Sequence, residues 1–126
     1  MDHIIIRIYT TSAKGDALLK DAHIGRRMLE AWSVCNHMTI VGCPMSHTFD
    51  TIQGESDSTL PGGYSSVVLL AESHASIHTY PERSMAYLDM FSCKSLDVDK
   101  NIEFMTRTFD TDSDMVVISK IKRDTL

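Results

Sequence analysis

The sequence predicts a single α+β domain over residues 1–126, a two-layer sandwich in which a mostly antiparallel sheet carries two helices on one face. The length of 126 residues is typical of one domain. The spacing of the apolar residues alternates along the chain between strand-like runs and helical periodicity. This alternation gives the order β-α-β-β-β-β-α-β with no internal repeat. The sheet face without helices must then meet water or another subunit.

In the first half of the chain, a β-branched run that ends at a polar cluster predicts a strand over about residues 3–10. Apolar residues at helical spacing predict a surface helix over about 16–33, and a short apolar group predicts a second strand over 38–41. Periodicity is lost between Asp50 and Gly63, which predicts a loop. The residues behind the three elements are Ile4, Ile5, Ile6 and Ile8, then Leu18, Ala22, Leu29 and Trp32, then Met38, Ile40 and Val41.

The second half predicts five further elements, four strands and one helix. An apolar run predicts a buried strand over 67–70, and alternation predicts strands over 74–80 and 85–93. Asp97 is placed to cap a helix whose apolar face is Val98, Ile102, Met105 and Phe109. Residues 115–121 close the chain as a strand.

Charge and cysteine content narrow the class of function. The net charge is −5 and the chain has no stripe of lysine or arginine, which argues against a nucleic-acid or anionic-membrane surface. No apolar stretch approaches the ~18 residues of a membrane span. The three cysteines form no C-x-x-C pair, which is typical of reduced thiols, and the first residues lack the pattern of a secretion signal. We therefore expect a cytoplasmic protein that acts on a small molecule or a protein partner.

Three groupings invite a chemical interpretation. His74 and His78 would share one helical face, as metal ligands do, but the general-base glutamate of H-E-x-x-H is absent and the segment is typical of a strand, so no metal site is predicted. Gly62-Gly63 is typical of a turn, because neither a helix nor a lysine follows to hold phosphate. Taken alone, Cys93 is typical of a small buried hydrophobe.

A longer segment changes this interpretation. Residues 63–82 are GYSSVVLLAESHASIHTYPE, and residues 87–93 are YLDMFSC. This pattern resembles the bacterial and archaeal S-adenosylmethionine decarboxylase proenzymes, which carry G-V-S-G, an apolar strand, E-S-H, I-H-T-W-P-E and then D-x-F-T-C-G at the same spacings. The resemblance extends more weakly over the whole chain. The S-adenosylmethionine decarboxylase fold is the α+β sandwich predicted above.

The resemblance implies that the chain is a zymogen that cuts itself between Glu72 and Ser73, giving a β chain of residues 1–72 and an α chain of residues 73–126. Ser73 becomes a pyruvoyl group, the covalent cofactor, which forms a Schiff base with the substrate amino group. His78 falls at the position that transfers protons in self-processing, a task for which imidazole is suited near neutral pH. Ser65 falls at the family's other processing position. Cys93 falls at the general-acid position, which requires a protonated thiol.

For substrate binding, the resemblance implies stacking of an adenine between aromatic rings and a carboxylate on the ribose hydroxyls. Glu82 matches the carboxylate. Tyr80 stands where the family usually has Trp, and Phe49 matches the second ring if His47-Thr48-Phe49 is the family's H-x-F motif. That match requires an insertion of about ten residues within 50–62. Connections of this length are uncommon in compact domains. Further departures are Tyr64, Ser66 and Lys94 in place of Val, Gly and Gly.

The implied function is pyruvoyl-dependent decarboxylation of S-adenosylmethionine to the aminopropyl donor of spermidine biosynthesis, in a homodimer whose sites draw residues from both chains. One alternative is an ornithine or arginine decarboxylase on the same scaffold. The insertion is the reason to keep this alternative. Another is an unprocessed, non-catalytic relative that acts as a partner. The joint presence of Ser73, His78, Ser65 and Cys93 argues against that second alternative.

Overall fold

The computed structural model describes residues 1–50 and 62–125 of the chain. Within them, six strands form one antiparallel sheet in the order β2-β3-β4-β5-β1-β6. The strands are β1 (Asp2–Tyr9), β2 (Met45–Thr48), β3 (Tyr64–Leu70), β4 (Ser73–Tyr80), β5 (Met85–Ser92) and β6 (Val116–Lys122), and the helices are α1 (Ala13–Lys20), α2 (Ala22–Cys35) and α3 (Val98–Phe109).

Helices cover one face of the sheet, as the sequence predicts. Alternate β1 residues are fully buried and pack with helix residues in a single apolar core. Members of that core include Ile4, Ile6, Ile8, Leu29, Trp32, Met105 and Phe109. The α+β two-layer prediction is therefore confirmed. No helix in the described part of the chain is long and apolar enough to cross a membrane.

The single helix predicted over 16–33 is wrong, and three helices rather than two lie on the sheet. Asp21 interrupts the helix with an extended backbone (φ −113°, ψ 104°). Its N–H donates to the Ala17 carbonyl at the end of α1. Its carboxylate accepts hydrogen bonds from the N–H groups of His23 and Ile24 at the start of α2. Because one aspartate caps both helices, the apolar spacing continues across the break and conceals it.

The strand predicted over 38–41 is also wrong. Only Ile40 makes an isolated bridge, to Leu70, and the second strand of the sheet is β2. β2 is short and lies at an edge, with Met45 72% exposed, so it lacks the apolar pattern that marks a buried strand. β3 begins at Tyr64, three residues before the predicted start. Most of the predicted loop and insertion lies outside the described residues.

On the other face of the sheet, here called the open face, no helix lies among the described residues. The alternating side chains of β1, β3, β4 and β5 on this face are intermediate or exposed. Leu69, Val117 and Ile121 on it are 62%, 48% and 40% exposed. The open face carries most of the polar side chains considered below, among them His3, Ser65, His74, Ser76, His78, Tyr87, Asp89 and Phe91.

Candidate active site

The turn between β3 and β4 holds a backbone in a rare conformation. Leu70 pairs with Ser73, so Ala71 and Glu72 form a two-residue turn. Glu72 has a φ of 58°, in the left-handed region that side-chain-bearing residues seldom adopt. This conformation costs roughly 1–2 kcal/mol. The peptide bond between Glu72 and Ser73 therefore follows a strained residue.

Ser73 and Cys93 meet at this turn. Ser73 is buried on the helix side of the sheet, and its hydroxyl oxygen accepts a 2.9 Å hydrogen bond from the Cys93 backbone N–H. The Cys93 thiol donates to the Ala71 carbonyl, with sulfur and oxygen 3.7 Å apart. The Ser73 hydroxyl and the Cys93 thiol therefore lie at the same turn.

The loop that follows β5 holds Cys93 in place through several contacts. The Lys94 N–H donates to the Ser92 hydroxyl (2.9 Å), and the Leu96 N–H donates to the buried carboxylate of Asp2 (2.8 Å). The Lys94 ammonium group donates to the His37 carbonyl at 2.7 Å. Lys94, which departs from the family pattern, thus ties the end of β5 to the chain that follows α2.

Ser65 and His78 form a second cluster, on the open face. The two residues are opposite each other in the β3–β4 register, and the Ser65 hydroxyl lies 2.7 Å from His78 Nδ1. His47 is opposite Ser65 across β2 and β3, and its ring contacts Phe49 with centroids 4.7 Å apart. Phe49 therefore lies on the same side of the fold as the Ser65–His78 pair.

The two clusters are separate within one chain. Ser73 and His78 are five residues apart on β4, which corresponds to roughly 16 Å along a strand. An odd spacing also puts their side chains on opposite faces, and Ser73 is buried where His78 is exposed. The chain alone does not bring His78 to Ser73.

Tyr80 and Glu82 lie beyond His78. The Tyr80 ring meets the Tyr87 ring edge to face, with centroids 5.8 Å apart, and Tyr87 is opposite His78 in the β4–β5 register. Glu82 is exposed on the short 3₁₀ turn Pro81–Arg83. The predicted substrate residues thus gather at the His78 end of the sheet.

Sequence reasoning missed a polar network around Asp89 on the open face. Its carboxylate accepts hydrogen bonds from Ser76 and, at 2.7 Å, from His3, and His74 Nε2 lies 3.6 Å away. Burial raises the pKa of Asp89, but the Ser76 and His3 hydrogen bonds and the nearby His74 outweigh it, so that the pKa is below its usual value. The signal that sequence reasoning could have used is the position of Asp89 in the D-x-F-x-C segment. Asp89 and Cys93 share the same alternation in that segment.

A cavity of about 630 Å³ opens on the same face. Its polar lining comes from both the Ser65–His78 pair and the Asp89 network, and Ile5, Val67 and Leu88 contribute apolar walls. Among the described residues, no group of three His, Cys, Asp or Glu side chains is arranged to hold a metal ion.

Together these features describe an α+β domain in which a serine hydroxyl, a thiol and a residue with left-handed backbone meet at one turn of the sheet. The family model described as S-adenosylmethionine decarboxylase matches residues 2–124. The chain belongs to the S-adenosylmethionine decarboxylase family.

Relatives and a solved structure agree with this assignment. Proteins named S-adenosylmethionine decarboxylase proenzyme are 39% identical over 64 residues in Pyrococcus horikoshii and 32% identical over 91 residues in Methanococcus maripaludis. These matches cover 50% and 72% of this chain, and 45% and 63% of the relatives, so the chain spans about half the length of the curated relatives it matches. A structure of the adenosylmethionine decarboxylase from Aquifex aeolicus superposes with a TM-score of 0.68 at 22% identity, covering 97% of this chain and 88% of that one, and supports the fold.

Proposed function

We propose that the chain is a proenzyme that cuts itself between Glu72 and Ser73 and then decarboxylates S-adenosylmethionine to the aminopropyl donor of spermidine synthesis. The observation that carries this proposal is the meeting of three groups at one turn. They are the strained backbone of Glu72, the Ser73 hydroxyl oxygen held by the Cys93 N–H, and the Cys93 thiol.

The cleavage follows from the chemistry of the turn. The Ser73 hydroxyl oxygen bonds to the Glu72 carbonyl carbon, its proton passes through a base to the departing nitrogen, and the carbon–nitrogen bond breaks to give an ester and a free amine. Loss of the Ser73 α-proton then breaks the bond between Cβ and the ester oxygen, which releases residues 1–72 with a carboxylate end. Water replaces the nitrogen as ammonia and leaves a ketone. The Cys93 N–H faces the Ser73 oxygen, and a donor there stabilises the negative charge that this oxygen takes up when it leaves Cβ as part of the carboxylate.

The decarboxylation needs an electron sink and a proton donor. A ketone at position 73 supplies the sink for the electrons that departing CO₂ leaves on the substrate. Cys93 is held across the turn from position 73, so its thiol is the donor proposed for the substrate carbon. Tyr80 and Phe49 supply rings for the adenine, and Glu82 supplies a carboxylate for the ribose hydroxyls.

The proposed working unit is a homodimer, in which Ser65 and His78 of one protomer act at Ser73 of the other. The support is geometric. His78 is the base proposed for the Ser73 α-proton, yet the two lie roughly 16 Å apart along β4. A second copy packed on the open face would bury apolar side chains such as Leu69 and Val117.

The first experiment measures mass and CO₂ release. The purified 14.1 kDa chain should convert to fragments of 72 and 54 residues (126 − 72), and the cut protein should release CO₂ from S-adenosylmethionine. A Ser73→Ala chain is the uncut control. A chain that stays whole after long incubation would refute both steps and favour a non-catalytic partner. Cleavage with CO₂ release from ornithine or arginine alone would refute the substrate.

A second experiment tests the shared site by complementation. Chains with Ser73→Ala and chains with His78→Ala each remain uncut alone, because each lacks one half of the machinery. In co-expressed mixed dimers, the His78→Ala chain keeps Ser73 and receives His78 from its partner, so it alone should be cut. Mixed dimers in which neither chain is cut would contradict a site shared between protomers.

A further inference from the structure

His74 is the second residue after the proposed cut and has no part in the chemistry proposed above. Before cleavage, the Ala71–Glu72 turn ties residue 73 to β3. After cleavage this covalent tie is gone, and position 73 becomes the free end of a strand. Strand ends fray unless side-chain contacts secure them. The inference below rests on the proposed function, because it concerns the chain after cleavage.

Three contacts hold His74 on the open face: one to the His3 ring on β1, edge to face with centroids 6.4 Å apart, and two to β5. Its ring stacks on Phe91, its cross-strand partner in the β4–β5 register, with centroids 5.7 Å apart and planes inclined by 10°. Its Nε2 atom lies 3.6 Å from Asp89 Oδ2. The last two contacts join β4 to β5, the strand that leads into Cys93, and none of the three involves β3.

The partners of His74 are themselves fixed. The Arg123 guanidinium carbon lies 4.6 Å from the Phe91 ring centroid, and Arg123 also lies 3.0 Å from His3 Nδ1. A guanidinium group can only donate, so His3 must accept at Nδ1 and donate from Nε2 to Asp89. Asp89 is therefore held by His3 and Ser76 together, in an orientation that keeps Oδ2 towards His74.

We propose that His74 is a positioning residue that anchors the new end of the α chain to β5 after cleavage, by stacking on Phe91 and by its contact with Asp89. The anchor keeps position 73 beside Cys93 when the turn no longer does so. It matters little in the uncut chain, where the turn performs the same task. This dependence on cleavage distinguishes an anchor from a contact that merely stabilises the fold.

The test compares amide hydrogen exchange in cut and uncut protein. In the uncut Ser73→Ala background, His74→Asn should leave the exchange rates of residues 74–76 within about threefold of those in Ser73→Ala alone. In the cut protein, His74→Asn should speed exchange there roughly tenfold, the equivalent of about 1.4 kcal/mol and within the range of a stacked pair. CO₂ release should fall by a similar factor. His74→Phe keeps the stacked ring and should recover much of both, and His23→Asn, at an exposed histidine on α2, is the matched control.

Each other result counts against the anchor. Equal effects of His74→Asn in cut and uncut protein would assign His74 a structural role only. Unchanged exchange in both would remove any role. Failure of both His74 variants to be cut would place the role before cleavage. A wild-type chain that is never cut would refute the proposed function and the anchor together, whereas a cut, active wild type with an unaffected His74→Asn refutes the anchor alone.

Discussion

The backbone N–H of Cys93 donates a 2.9 Å hydrogen bond to the hydroxyl oxygen of Ser73, while the thiol of the same residue points to the Ala71 carbonyl. One residue therefore presents two donors to one turn. In the proposed function, the backbone donor faces the oxygen that acts in self-cleavage, and the thiol is the proton donor in decarboxylation. The two roles can be separated, because a side-chain substitution leaves the N–H in place.

Cys93→Ala should therefore cut itself but decarboxylate poorly. The variant retains the N–H donor to Ser73 and loses only the proton donor, and loss of a general acid costs typically 10²–10⁴-fold in rate. Intact mass measures the cut and CO₂ release measures turnover. Cys43→Ala, at an exposed thiol, should change neither. If Cys93→Ala turns over at the wild-type rate, the thiol is not the acid.

Glu72→Gly should slow self-cleavage while stabilising the uncut fold. Glycine adopts a φ of 58° without steric cost, so the substitution removes strain that the cleavage would otherwise release. In a Ser73→Ala background, the free energy of unfolding should rise by about 0.5–1 kcal/mol in urea titrations.

Asp110→Gly is the matched control for this substitution. Asp110 also has a positive φ, 50°, but lies at the end of α3. It should raise stability by a similar amount and leave the cleavage rate unchanged. Equal cleavage rates for Glu72→Gly and the wild type would show that strain at Glu72 does not drive the reaction.

The layer arrangement and most strands could be predicted because they depend on local apolar periodicity. The missed features depend on side-chain hydrogen bonds and on a strand at the edge of the sheet. The break at Asp21 leaves the apolar spacing intact, and β2 carries no apolar pattern because it is an exposed edge strand. Both lie outside what periodicity can detect.

The candidate site divides in the same way. Ser73, Cys93, Ser65 and His78 are predictions from the sequence. Their separation into two clusters follows from the hairpin register, which places Ser65 opposite His78 and Ser73 opposite Leu70. Once β4 is known to be a strand, the odd spacing from residue 73 to 78 already implies opposite faces. The Asp89 network needed the register of β1 against β5, a long-range pairing that no local pattern encodes.

Gly25→Ala should destabilise the fold although alanine favours helices. A Cβ atom at position 25 of α2 would lie 2.1 Å from the Tyr64 hydroxyl oxygen, which donates a 2.7 Å hydrogen bond to the Leu18 carbonyl. Tyr64 is buried, so the ring cannot move away freely. Overpacking costs about 1–3 kcal/mol, against a gain of about 1 kcal/mol in helix propensity.

The measurement is urea unfolding in a Ser73→Ala background. Gly42→Ala is the control, because a Cβ atom there would meet nothing within 4 Å. We expect a lower free energy of unfolding for Gly25→Ala and a change within about 0.5 kcal/mol for Gly42→Ala. A stabilised Gly25→Ala would mean that the contact between α2 and Tyr64 is looser than this packing implies.

Asp89→Asn should change how stability depends on pH. The folded-state pKa of Asp89 is below its usual value because, against the opposing effect of burial, Ser76 and His3 donate to the carboxylate and His74 lies close by. A lowered folded-state pKa means that the unfolded chain binds the proton more readily. The stabilisation is therefore complete above the unfolded value of about 3.9 and is lost as the pH falls from there through the folded-state pKa. Asn cannot ionise, so the variant does not lose this stabilisation as the pH falls.

Urea titrations between pH 5 and pH 2, again with Ser73→Ala, give the comparison. The wild-type background should lose stability more steeply than Asp89→Asn below about pH 4, so that the gap between them narrows with acid. Asp124, whose pKa the amino terminus of Met1 lowers, is present in both chains and cancels in the difference. Parallel pH profiles would contradict the network, because they would mean that the Asp89 carboxylate gains nothing from His3, Ser76 and His74 in the folded state.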